Sequence, residues 1–268
     1  SAHAGGCATW CVPEIPRPTL RGIASVAHLY YVSQGQTLEP GSSVRLQGDE
    51  ARHAASVSRL AVGEDILVGD GVGTLATARA TAVGPKEVLL EVSATTTHPP
   101  STPEVWLVQA LAKGDRDELA IQTCTELGVD RIIPWQASRS ISRWKGDKLT
   151  TGVARWHKIA TEASKQSLRA WIPPVERAMT TQDIADLGAD HQLLLLDPDA
   201  VDALSAYIPP RDKNLLVIVG PEGGVEQAER ELLLSSGCID LKLGQTVLRT
   251  SSAGPAALAA LNGAMGRW

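Results

Sequence analysis

The chain has 268 residues, 43% of them hydrophobic, with 25 Lys/Arg against 30 Asp/Glu for a formal charge of −5. That length holds one large or two ordinary domains with ample core, and no apolar run reaches the eighteen or so residues a membrane span needs, which argues against a helical membrane protein. Net acidity alone speaks against a nucleic-acid partner, but from Arg139 to Arg177 nine Lys/Arg face three Asp/Glu, a local excess of +6 that leaves −11 elsewhere. Such asymmetry is the footprint expected of a phosphate-binding face on an otherwise acidic protein.

Residues 1–25 carry Gly, Pro and small residues without periodicity. They lack a positively charged start followed by an apolar block, so a disordered extension or tag remnant is expected rather than a signal peptide. Cys7, Cys11, Cys124 and Cys238 are too scattered for a disulfide framework or a C-x-x-C metal pair, which fits a reducing cytoplasm.

From His28 the pattern is short and strand-like. His28–Ser33, Ser43–Gln47, Asp65–Gly69, Thr74–Val83 and Lys86–Ser93 read as strands, with turns at Gly69-Asp70-Gly71 and Gly84-Pro85. One helix intervenes, with Asp49 as N-cap and Glu50 to about Leu60 as its body. Residues 26–95 are therefore expected to form a small β-barrel. Residues 96–103, with three prolines and no apolar period, read as a linker.

Residues 104–268 alternate strand and helix. Strands are expected at Val105–Ala110, Arg131–Pro134, His191–Leu196, Leu215–Val219 and Asp240–Leu243. Helices are expected at Asp115–Leu127, over a long segment capped by Asp147, at Ala200–Tyr207, at Glu226–Ser236 and from Ser252 onward. The long helix carries Leu149, Val153, Trp156, Ala160 and Ala163 at helical spacing. This rhythm implies an α/β fold with a parallel sheet covered on both faces.

Ligands of such sheets sit in the turns after the strands, here Leu196–Asp199, Gly220–Gly224 and Gly244–Ala253. None matches G-x-G-x-x-G or the P-loop. No G-x-S-x-G elbow and no His/Cys cluster at metal spacing occurs, so no metal is expected. The loops offer glycines, Glu222, Arg249 and small hydroxyls, which suits a neutral or zwitterionic organic ligand.

Gly220-Pro221-Glu222-Gly223-Gly224, Leu243-Gly244 and Val247-Leu248-Arg249-Thr250 resemble the cofactor motifs of the RsmE family of SPOUT methyltransferases. Upstream, Lys113-Gly114-Asp115-Arg116, Thr125-Glu126-Leu127-Gly128-Val129, Ser138-Arg139-Ser140 and Glu162-Ala163-Ser164-Lys165-Gln166-Ser167 with Arg169 extend the match. His53, Arg59 and Gly69-Asp70-Gly71 resemble that family's PUA-like RNA-binding barrel. Three positions depart from the pattern: Ser251 stands where a glutamate is usual, Thr246 where an arginine is common, and Lys165 where a glutamate is common.

The resemblance implies a PUA-like barrel followed by a SPOUT domain with a C-terminal trefoil knot. It also implies a homodimer with its active site near the interface, and N3-methylation of a uridine in 16S ribosomal RNA of the small subunit by S-adenosylmethionine. The cofactor residues it implies are Leu196, Gly220, Pro221, Glu222, Gly223, Gly224, Leu243, Gly244, Val247, Leu248, Arg249, Ser252 and Ala253. For RNA it implies His53, Arg59, Lys113, Arg116, Arg139, Gln166 and Arg169. Arg139 and Arg249 are the candidates for charge stabilisation, and Glu222 for base or cofactor contact; the plainer reading of Glu222 is a cap on the helix after it. Ribose 2′-O-methylation and a non-catalytic RNA-binding assembly protein are the alternatives.

Overall fold

The computed structural model describes residues 28–268, so the expectation for residues 1–25 lies outside it. The first domain is a five-stranded sheet in the order β1-β3-β4-β5-β2, built from β1 (Leu29–Tyr31), β2 (Ser43–Gln47), β3 (Asp65–Gly69), β4 (Thr74–Val83) and β5 (Glu87–Thr97). β1 pairs with β3 in parallel and the other ladders are antiparallel. Irregular register at Thr77/Ala78 and Ala80/Ala82 bends β4 and β5. The strands share a core of Tyr30, Val44, Leu46, Val68, Ala78, Leu90 and neighbours, closed by Ala51 of α1 (Gly48–Arg52) and by Ala54 in the π-helical turn His53–Val57.

Two readings of this region change. Thr96 and Thr97, taken from the sequence as linker, belong to β5 and pair with Leu75 and Thr74, as β-branched residues in a ladder favour. The first helix begins at Gly48, after the Gln47 N-cap, and Asp49 is not its cap.

The second domain has a wholly parallel sheet in the order β10-β8-β9-β6-β7: β6 (Val105–Ala110), β7 (Arg131–Trp135), β8 (Gln192–Leu196), β9 (Leu215–Val219) and β10 (Ile239–Leu241). Central β9 is buried throughout, which its unbroken Leu-Leu-Val-Ile-Val run requires. Its side chains alternate between two cores. Leu215, Val217 and Val219 meet Ile121 and Cys124 of α2 (Arg116–Glu126), Trp156 and Ala160 of α3 (Asp147–Gln166), and Leu258 and Leu261 of α6 (Thr250–Met265). Leu216 and Ile218 meet Ile184 of α4 (Thr181–Asp186) and Leu233 of α5 (Gln227–Ser235) on the opposite face.

The expected helix at Ala200–Tyr207 is only a 3-10 turn, Leu204–Ala206. Its backbone is claimed instead by Lys242, which bonds Asp202 and Leu204. Conversely, α4 was missed; a capping box between Thr180 and Asp183 starts it. Gly146, not Asp147, occupies the N-cap of α3.

The two domains meet along the segment after α3. The Tyr31 hydroxyl donates to the Arg169 carbonyl at 2.7 Å, and the Trp171 indole N–H to the His98 carbonyl at 2.8 Å. The Gly73 N–H donates to the Ala170 carbonyl and the Ile172 N–H to the Gly71 carbonyl, each at 3.0 Å. Leu29, Leu67, Leu75 and Ala170 fill the space between.

Candidate active site

The C-terminal ends of the three neighbouring strands β8, β9 and β10 open onto one edge of the sheet, and the loops that follow them enclose a cavity of about 880 Å³. Every residue expected to hold the cofactor lines this cavity except Ser252, which sits exposed in the first turn of α6. Arg116 and Arg139 complete the lining from elements on the other side.

Hydrogen bonds between distant segments hold the cavity open. Thr250, at the start of α6, donates its hydroxyl to the Gly220 carbonyl at 2.9 Å and accepts from the Gln109 amide at 2.9 Å. Gln109 is a fully buried polar residue in apolar β6, and its other side-chain atom, Oε1, has no partner. Gly254, one turn along α6, lets the helix lie close to the sheet: a Cβ there would reach 3.0 Å from Leu107. Arg230 of α5 pairs with Asp197 at 2.8 Å and with Asp240, fixing the loop after β8.

Glu222 does not cap α5, whose N-cap is Glu226. Its Oε1 accepts from the Lys113 N–H at 3.3 Å and from Arg116 at 3.2 Å, tying the β9 loop to the turn before α2. Arg139 donates to the Gly223 carbonyl at 3.2 Å. The loop carrying Arg139 is fixed from beneath by buried Glu229 of α5, whose Oε1 accepts from the Ser138 N–H at 3.0 Å and from the Thr181 hydroxyl. Thr181 in turn accepts from the Trp135 indole at 3.1 Å.

Gln109, Glu229 and Arg230 had no place in the sequence reading as site residues, and Thr250 entered it only within the Val247–Thr250 motif. A polar side chain in the middle of an apolar strand is the one signal that singles out Gln109.

The expected RNA contacts divide. Lys113, Arg116 and Arg139 gather at the mouth of the site. His53 and Arg59 are exposed on the first domain. Gln166 is exposed in the last turn of α3. Arg169 is turned inward: it donates to the Thr125 carbonyl at 2.8 Å, and burial pulls its guanidinium below the usual arginine range.

The lining suits an organic molecule with a flat apolar part and a polar tail. Val247 and Leu248 stay 76% and 39% exposed at the cavity, two large apolar side chains with nothing over them. Among the described residues the N–H groups of Leu243 to Leu248 donate to no other part of the chain, leaving backbone donors for a ligand. The start of 16-residue α6 adds its positive end.

A parallel sheet with a ligand cavity at these strand ends, joined to a small β domain, is the architecture that the resemblance to SPOUT RNA methyltransferases implies. The family model for an RNA methyltransferase domain matches residues 99–262, and that for an RNA methyltransferase PUA domain matches residues 46–93. Ribosomal RNA small subunit methyltransferase E of Mycobacterium bovis is 37% identical over 249 residues, spanning 91% of this chain and 94% of its own length. The Bacillus subtilis protein of that name is 31% identical, over 85% of this chain and 92% of its own. The crystal structure of the Neisseria gonorrhoeae enzyme bound to S-adenosylmethionine superimposes with a TM-score of 0.79 at 28% identity, covering 88% of this chain and 97% of that one. The chain belongs to the family of ribosomal RNA small subunit methyltransferase E.

Proposed function

We propose that this protein transfers a methyl group from S-adenosylmethionine to N3 of a uridine in 16S ribosomal RNA. The observation that carries this reading is the cavity at the ends of β8, β9 and β10, with free cations at its mouth and the family's motifs on its walls. When bound there, S-adenosylmethionine supplies an electrophilic methyl group and no metal is required. Leu196, Gly220–Gly224 and Leu243–Leu248 would hold it through backbone groups and apolar contact.

The chain's own task is to make N3 nucleophilic. Uridine keeps its N3 proton at neutral pH, so that proton must pass to water and the negative charge left on the ring must be stabilised as it goes. Arg139 and Arg249 have no carboxylate partner among the described residues, and both line the cavity. In this reading they stabilise the charge that develops on O2 or O4 of the base. Glu222 is already engaged by Lys113 and Arg116, which makes it a strut of the site rather than its base.

The same reading includes the trefoil knot, a homodimer with its interface beside the site, a cytoplasmic setting, and domain limits near 26–95 and 104–268 with a joint between. None of the helices described is long and apolar enough to cross a membrane. Labelled S-adenosylmethionine incubated with small subunits lacking the modification tests the proposal. Label recovered as N3-methyluridine in 16S RNA is the expected result. Label on a ribose, or none in RNA with folded protein, overturns it.

A further inference from the structure

A second cavity, of about 590 Å³, lies beside the first and shares no lining residue with it. One wall is the turn from Ala112 to Glu118, and the other is Ile141–Trp144 with the first turns of α3. It abuts the active site through Lys113, whose N–H is held by Glu222, and through the loop that carries Arg139. Arg143 is fastened to that same loop by a 2.6 Å bond to the Ser138 carbonyl.

Two features of this cavity point to one kind of ligand. The first is an aromatic plate. Trp144 lies flat over α3 because residue 152 is glycine: a Cβ there would fall within 2.5 Å of the indole. Its edge rests on Trp156 at 5.2 Å between centroids and 73° between planes, so the ring is fixed before any ligand arrives.

The second feature is charge. Asp115, Asp117 and Glu118 line the cavity, but each is occupied. Asp117 accepts from the Ala112 and Glu118 N–H groups, while Glu118 and Asp115 are held by Arg155. Lys113, Arg143 and Lys148 have no carboxylate partner among the described residues. A fixed aromatic face beside cations held in no ion pair is how proteins hold single-stranded nucleotides, base on the ring and phosphate on the cation.

We propose that this second cavity seats a nucleotide flanking the target uridine, with its base on Trp144 and its phosphate between Lys113 and Lys148. The inference rests on the RNA methyltransferase reading. It adds that the RNA strand leaves the active site over the β6–α2 turn, toward the start of α3.

The test uses the full-length protein and a short single-stranded RNA carrying the target uridine, with binding measured over a salt series. Trp144→Leu should weaken RNA binding about tenfold, the lower part of the range for loss of one stacked base, and Trp144→Phe should restore most of it. Lys148 is exposed in the first turn of α3, so Lys148→Ala does not put folding at risk. It should lower the slope of log K against log salt by about 0.7, one phosphate contact on a single strand. Both variants should bind S-adenosylmethionine like the wild type. Unchanged RNA affinity and salt slope in Trp144→Leu and Lys148→Ala, with the wild type still methylating RNA, overturns the second site and leaves the proposed function standing. A wild type that neither binds nor methylates RNA, either in this oligonucleotide or in small subunits lacking the modification, removes both.

Discussion

At the scale of single residues, the site rests on side chains that do not line its cavity. Glu229 holds the Ser138 N–H and the Thr181 hydroxyl from inside the fold, so the reach of Arg139 to the cavity is set from α5. Glu229→Ala should cut methyl transfer about 10- to 100-fold, as loss of alignment commonly does, while S-adenosylmethionine affinity stays within about threefold of wild type. Glu229→Gln should recover most activity, because the amide oxygen still accepts both bonds. In an Arg139→Ala background the same alanine should cost little more; a full additive loss would show that Glu229 does not act through Arg139. Lys165 is a second case. It stands where the family commonly has a glutamate, and here it bridges Glu162 at 2.9 Å and Glu50 of the first domain. Burial alone would lower its pKa, but the bonds to the two carboxylates outweigh that and raise it. Its contribution is therefore complete below the ordinary lysine value and disappears only as pH rises past the shifted one. Lys165→Glu would set three carboxylates together and should lower the melting temperature clearly at neutral pH.

At the scale of elements, legibility followed sequence distance. Gly220–Gly224 and Leu243–Gly244 were readable because their spacing is local, and the strand runs because side-chain alternation is local too. Apart from Arg230–Asp240, the bonds that shape the site join residues 30 to 141 positions apart, and no short window of sequence contains them. Tertiary competition also misled. Residues 200–207 have helical composition, yet Lys242 takes the backbone groups a helix would need. For α4 the missed signal was local: Thr180 and Asp183 cap each other, and Arg177 pairs with Asp183 at 2.8 Å. Arg177 and Thr180 together hold the Asp183 carboxyl far below its ordinary 3.8. Thr180→Ala should cost about 1 kcal/mol. The stabilisation by Asp183 is complete above its ordinary value and is lost as pH falls toward the shifted one. The gap in melting temperature between wild type and Asp183→Asn should therefore narrow from about pH 5 downward. A gap that widens in acid would contradict the assignment.

At the scale of the molecule, the two domains are clamped rather than tethered. Gly73 shows how tightly: its φ is +112°, and a Cβ would come within 2.6 Å of the Trp171 ring and 2.8 Å of the His98 carbonyl. Gly73→Ala should destabilise the protein by roughly 1–3 kcal/mol. It should also raise the KM for RNA more than it changes S-adenosylmethionine binding; an equal effect on both would place the damage in the catalytic domain instead.

Helix α3 belongs to both halves of this arrangement. Its first turns wall the cavity around Trp144, and its far end, through Lys165 and the residues after it, is fastened to the first domain. Twenty residues of helix make a rod of roughly 30 Å. A rod pinned at both ends works as a caliper. For any RNA that touches both the first domain and the catalytic site, that span sets the distance between the two contacts.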